Sequence, residues 1–242
     1  MSRNRLLVLV SILMLAVFAV GGCGTQVNTG MAEEPKVIQT YGEAEVKSEP
    51  DLVRISLGIE TRSDSAEQAV EENARLANAV FEALKGFGLT EDEVKTGYYQ
   101  LYSYREWFDE RPTGEEAITY QAINEVIVST NRIEEVGDMI DIAVRAGANN
   151  INFINFELEN PQALQLRALQ AATEQAEMKA GAIAESTGER ISGLYRIREE
   201  RTDYMPFIAR QEMADDTGMG STTPIAPDDV TVKAMVVAEF AF

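Results

Sequence analysis

The chain has 242 residues, 45% of them apolar, which allows one large domain or two small ones with a real core. Its 40 acidic residues outnumber 21 basic ones, a surface that phosphate backbones repel, so nucleic-acid binding is excluded and the acidity reads as general solubility. There is no histidine and one cysteine, Cys23, which removes Ser-His-Asp and Cys-His catalysis, histidine-ligated zinc and disulfide exchange, leaving carboxylates, lysine and tyrosine as chemical groups.

The N-terminus carries Arg3 and Arg5, then an apolar stretch over residues 6–20 broken only by Ser11, then Gly21-Gly22-Cys23. This is the order of a secretory signal: basic segment, apolar segment, small residues before the cleavage point. The apolar stretch is too short for a spanning helix, which needs roughly 20 residues. A small pair directly before cysteine resembles the bacterial lipobox, so residues 1–22 are expected to be a signal peptide and Cys23 the lipid attachment site; an ordinary cleaved signal that leaves a free thiol is the alternative. Acyl chains contribute about 0.8 kcal/mol per buried methylene, and two or three hold a protein where one does not. Anionic headgroups repel so acidic a domain, so the lipid anchors it alone. Residues 23–34, small and polar, read as a flexible tether, and the ordered domain is expected over 35–242.

A first strand is predicted from Lys36-Val37-Ile38 through Glu45-Val46. After Pro50-Asp51, Val53, Ile55, Leu57 and Ile59 alternate as a second strand. Asp64 and Glu67 have capping-box spacing, and Ala66, Ala69, Val70, Ala74, Ala77, Val80, Phe81 and Leu84 predict a helix to about Lys85, stopped by Gly86 and Gly88. Residues 94–107 and 118–130 read as two long strands of a hairpin around a polar turn with Pro112 and Gly114. Asn131 and Glu134 offer a second cap for a helix through Ile140 and Val144 that ends at Gly147. Ile151, Phe153, Ile154 and Phe156 mark another strand. Asn160-Pro161 then opens a long helix to about Thr187, with Pro at its first position and Leu166, Leu169, Ala172, Ala176, Ala180 and Ile183 on one face. Strands over 191–199 and 230–242 bracket an irregular stretch, 202–227, expected as a long surface loop. The order predicts an α+β fold, a mainly antiparallel sheet or sheets with three helices, one long and alanine-rich.

Tyr98, Tyr102 and Tyr104 fall on one strand face with Trp107 nearby. They serve as cross-strand packing, as a protein interface, or as a stacking platform for sugars of wall polymers. Residues 218–222 (Gly-Met-Gly-Ser-Thr) are superficially similar to a phosphate loop but lack the preceding strand and the lysine. Asp215-Asp216 and Asp228-Asp229 match no calcium-loop spacing. No catalytic residue, cofactor or metal ligand is expected, and no carboxylate pair of the kind a glycosidase uses can be picked out.

Tyr41-Gly42-Glu43-Ala44 ahead of Pro50-Asp51, Lys95-Thr96-Gly97-Tyr98-Tyr99, Tyr120 with Asn124, Gly147-Ala148-Asn149 leading to Phe156, the alanine-rich residues 168–188 and the closing strand 230–242 together resemble the SIMPL-domain family of bacterial envelope proteins. Ala44 departs from it, where the family often has a second glycine. The resemblance implies an α+β fold, an extracytoplasmic location, a tendency to symmetric homo-oligomers, links of some members to envelope stress, and no established catalytic residues. The expected function is a lipid-anchored, non-enzymatic homo-oligomer acting as a scaffold or envelope-stress component, partnered by the membrane through its anchor and by envelope proteins or wall polymer. The alternatives are a monomeric binding module for wall glycan or peptide, and a carboxylate-based hydrolase.

Overall fold

Runs rich in β-branched residues become strands where one face finds cover. The computed structural model describes residues 35–106, 117–209 and 225–242, and Cys23, the tether and Trp107 lie outside these. Within the unit Val37–Phe242 the order is β1 (Val37–Ser48), β2 (Leu52–Ser63), α1 (Ala66–Gly86), β3 (Val94–Glu106), β4 (Ala117–Thr130), α2 (Val136–Ala146), β5 (Asn150–Glu157), α3 (Gln162–Ser186), β6 (Gly193–Met205), β7 (Phe207–Ile208) and β8 (Val230–Ala241). Every strand pairing is antiparallel. The strands form two sheets, β3-β4-β2-β5-β7 and β1-β8-β6, so the fold is α+β as expected.

The five-stranded sheet packs its inner face on α1 and α2. Val53, Ile55, Leu57 and Ile59 of β2 meet Val80, Leu84 and Met139 there, all fully buried, each stabilising by about 1.5–3 kcal/mol. Among them lies Asn73, which the apolar periodicity of α1 does not include. It is completely buried, and its Nδ2 donates to the carbonyls of Ile59 (2.8 Å) and Ala122 (3.1 Å), one on each of two neighbouring strands. The carboxamide ties α1 to β2 and β4 at one point, a direction that apolar packing alone does not set. Helix α2 stops at Gly147, whose φ of 129° is open to glycine and strained for other residues.

The three-stranded sheet packs on α3. Val230, Val232, Val236 and Ala238 of β8 face a stripe of Ala168, Ala172, Ala176 and Ala180, all buried. Small side chains bring the helix unusually near the backbone of β1: a Cβ built on Gly42 would stand 1.7 Å from the Ala172 carbonyl oxygen. Thr40 Oγ1 donates to the Ala176 carbonyl at 2.8 Å beside it. Along the outer edge of β1, Gln175 Oε1 accepts the Glu43 N–H (2.9 Å) and Lys179 Nζ donates to the Tyr41 carbonyl (2.9 Å). The Lys179 ammonium also sits 4.2 Å from the centre of the Tyr41 ring.

Four expectations change. The Asp64–Glu67 capping box does not form: Ser65 occupies the cap without a side-chain bond, and the Ser65 N–H is instead taken by Ser63 Oγ at 3.1 Å. Asn131 and Glu134 do not cap α2, because a short 3₁₀ turn, Ile133–Glu135, precedes it and Arg132 Nε bonds Glu135 Oε1 at 2.8 Å. In α3, Pro161 is the capping residue and the helix begins at Gln162. Its buried face is the alanine stripe with Leu164 and Ala184, while Leu166 and Ile183 are 59% and 45% exposed, since a close helix–sheet approach admits methyl groups and turns bulkier ones outward. The stretch after 202 is not loop throughout: β6 runs to Met205, and β7 adds to β5 through Asn155 and Phe156. The glycine-rich run and Asp215-Asp216 lie outside the described residues, and Asp228-Asp229 is exposed.

Gly42→Ala is expected to lower stability by about 3 kcal/mol, because the added methyl meets helix backbone that cannot step aside. Gly86→Ala, where an added Cβ meets nothing within 4 Å, is the matched control and is expected to leave stability unchanged or slightly raised. Urea midpoints of the two variants against the parent chain check this.

Candidate interaction surface

The tyrosines of β3 are placed by its pairing with β4. Tyr98 lies opposite Glu125, Tyr102 opposite Gln121 and Tyr104 opposite Thr119, all on the face of the sheet turned away from α1 and α2. The structure therefore brings these three together on one side, as the alternation predicts. The Tyr102 and Tyr104 rings are 6.1 Å apart at 37°, and the Tyr98 hydroxyl donates to Gln100 Oε1 at 2.6 Å. On the opposite side of the same strand, Tyr99 and Leu101 are also exposed. Strand β3 is thus open on both faces at the end of its sheet.

A polar network continues the tyrosine face across β4, β2 and β5. Glu60 receives hydrogen bonds from Gln121 Nε2 and from Arg62 Nε and Nη2, the last two at 3.1 and 2.6 Å. The Glu60 bond, with Tyr104 and then the Glu60 charge behind it, holds the Arg62 guanidinium above its usual range. Farther along, the fully buried Ser56 donates to Glu125 Oε1, and Asn152 Nδ2 donates to Ser56 Oγ at 2.8 Å. Sequence reasoning passed over Ser56 and Glu125. Their signal was there, a serine and a glutamate each interrupting an apolar strand.

An open cleft of roughly 560 Å³ runs beside Pro50, Asp51, Arg132, Glu134 and Glu159. Behind it the Arg132 guanidinium stands 4.7 Å from the Phe87 ring centre. Near Arg132, Glu93 accepts hydrogen bonds from Thr130 Oγ1 (2.6 Å), the Thr90 N–H (2.9 Å) and Thr90 Oγ1 (2.8 Å). These donors, Thr130 first, pull the Glu93 carboxyl below the ordinary range. Among the described residues no group of three or more acidic or sulfur side chains is arranged to hold a metal ion.

The outward aromatic strand, the buried alanine stripe and the glycine under α3 all lie within one stretch of chain that a family model matches. Residues 38–240 match the family model described as SIMPL, protein of unknown function (DUF541). The chain belongs to the SIMPL family. It is similar to the uncharacterized protein YggE of Edwardsiella ictaluri, 21% identical over 80% of each chain. It is also similar to the 26 kDa periplasmic immunogenic protein of Brucella melitensis, 27% identical over 74% of this chain and 73% of that one. YggE of Escherichia coli K12 is 20% identical over 84% of this chain and 81% of its own. Gly42, in the SIMPL-like string Tyr41-Gly42-Glu43-Ala44, has a plain physical role: it admits the helix.

Two outcomes are expected. Tyr98→Ala and Tyr102→Ala, at half-exposed rings, change stability by less than about 1 kcal/mol in thermal melts, since little apolar area is lost from the core. Glu93→Gln weakens the charge-assisted bonds and destabilises by about 1 kcal/mol at neutral pH. A lowered carboxyl pKa stabilises above the usual carboxylate range and loses that contribution as pH falls through the lowered value. The gap between Glu93→Gln and parent, measured by urea unfolding, therefore persists as the pH passes through the ordinary carboxylate range and closes on further acidification.

Proposed function

We propose that this chain is exported, held to the membrane by lipid on Cys23, and assembles with copies of itself as a non-enzymatic scaffold of the cell envelope. The observation that carries the reading is where its apolar surface lies. In a strongly acidic chain, two edge strands each carry a run of exposed large apolar residues, Tyr98, Tyr99 and Leu101 on β3 and Leu194, Tyr195 and Ile197 on β6, where a neighbouring copy can cover them. The extracytoplasmic placement is supported by the signal-like N-terminus and by the Brucella relative, whose name calls it periplasmic.

A non-enzymatic role is supported by the direction of the displaced carboxylates. Glu72, Glu91, Glu93 and Glu135 are all held below the ordinary range, by Arg75, Lys85, Thr130 and Arg132 respectively. A carboxylate hydrolase needs one acid displaced upward. A second reading, a module for wall glycan, is favoured by one feature: the Tyr98, Tyr102 and Tyr104 rings share a face with the carboxamide of Gln121 and the Glu60–Arg62 pair, the mix of ring faces and polar side chains that suits sugars.

Mass spectrometry of the N-terminal peptide from the membrane fraction is expected to find acyl mass on Cys23; an unmodified thiol there overturns the anchor. Light scattering on the detergent-extracted chain, corrected for bound detergent, is expected to give a multiple of the monomer mass, and a strict monomer at high concentration overturns the scaffold. Thermal stabilisation by wall fragments would transfer the case to the glycan reading.

A further inference from the structure

The two long edges of the three-stranded sheet are treated differently. On β1, Gln175 and Lys179 of α3 bond the outward-pointing N–H of Glu43 and carbonyl of Tyr41, which places side chains across the middle of that edge. On β6, among the described residues, no side chain is bonded to the strand backbone and no strand lies beyond it. Because α3 leans toward β1, the helix-side face of β6 is also uncovered. Leu194 and Ile197 pair with Phe240 and Ala238 of the buried face of β8, and yet they are 53% and 41% exposed. This is apolar surface on the core side of a sheet with nothing over it.

The charges along β6 are mixed in sign, basic at Arg196, Arg198 and Arg201 and acidic at Glu199, Glu200 and Asp203, and one antiparallel register sets Arg198 against Asp203 and Glu200 against Arg201. Ladder irregularities at Tyr195 and Glu200 reverse the in–out alternation along the strand. Arg198, before the second bulge, and Asp203, after it, therefore share the outer face, where they pair with Val237 and Lys233 of β8. Ile197 and Tyr204 share the helix-side face, opposite Ala238 and Val232. Laid antiparallel on a second β6 with Arg198 opposite Asp203, every residue beyond the bulges meets one from its own face, and Ile197 meets Tyr204. Registers that place Arg198 opposite Arg201 set like charges against each other.

We propose that β6 is the site at which a second copy of this chain adds, strand to strand about a two-fold axis near Glu200 and Arg201, continuing the three-stranded sheet into one of six strands. The inference rests on the scaffold reading and names its contact. The exposed pairs that now occupy these charges, Arg198 with Glu200 (Nε to Oε1, 3.0 Å) and Arg201 with Asp203 (2.8 Å), lie within one strand and are weakly held, so re-pairing across the dyad costs little. The two-fold makes each contact twice and covers Ile197 in both copies.

The test uses the full chain in its own membrane, where lipidated Cys23 offers no thiol. Glu200→Cys is expected to form a disulfide-linked dimer on mild oxidation, and Glu71→Cys, on the exposed face of α1, is not. Arg198→Asp and Asp203→Arg, each added to Glu200→Cys, are expected to lower the dimer yield about tenfold, the effect of one ion pair reversed twice across the axis. The double swap restores it, a recovery that misfolding cannot imitate. If the parent chain self-associates but Glu200→Cys crosslinks no better than Glu71→Cys, or if the double swap fails to recover, the β6 contact is overturned and the scaffold stands. If the parent chain is a monomer by light scattering, both fall.

Discussion

The three-stranded half of this protein depends on one close approach, the carbonyl of Ala172 over Gly42. A helix whose backbone comes within reach of a strand's own Cα cannot carry large side chains on that face, and α3 carries alanines. Once the helix sits this low, Thr40 can reach the Ala176 carbonyl and the side chains of Gln175 and Lys179 can reach the strand edge. Four features that look separate in the sequence, a glycine, a threonine, an alanine stripe and two long polar residues, thus follow from one helix height.

The five-stranded half is organised by different means. Its helices stand off the sheet on valine, leucine and methionine, and orientation comes from the buried Asn73 bridging two strand carbonyls. Its outer face has no helix among the described residues. It answers exposure with side-chain bonding, the Glu60 and Glu125 networks, and with tyrosines whose rings tolerate both water and contact. Helices thus cover one face of each sheet, and β3 and β6 are two of the places where apolar side chains stay exposed.

Most of the element order was legible in the sequence, because strands with covered faces alternate and helices end at Gly88, Gly147 and Gly188. What was not legible depended on distance. The face of α3 was read from its largest side chains, but burial there follows the close approach to Gly42, some 130 positions earlier, which puts Ala172 and Ala176 against the sheet and leaves Ile183 turned outward. The extent of β6 was hidden because charged residues occupy both of its faces, so no apolar period marks it. The local cap signals at Asp64 and Asn131 were overridden by neighbours, Ser63 and Arg132, that found partners nearer at hand. For the surface, the tyrosine alternation was readable from period two alone, while the Ser56–Glu125–Asn152 cluster needs three strands side by side before it exists.

The clasp of Gln175 and Lys179 on β1 sets a limit on growth. A sheet with two open edges can recruit copies at both ends and run on as a fibre, a hazard made worse by crowding chains onto a membrane surface. With the middle of one edge occupied by side chains of its own helix, the three-stranded sheet is more open to addition from the other. An antiparallel addition at β6, as proposed, uses that edge in both copies at once.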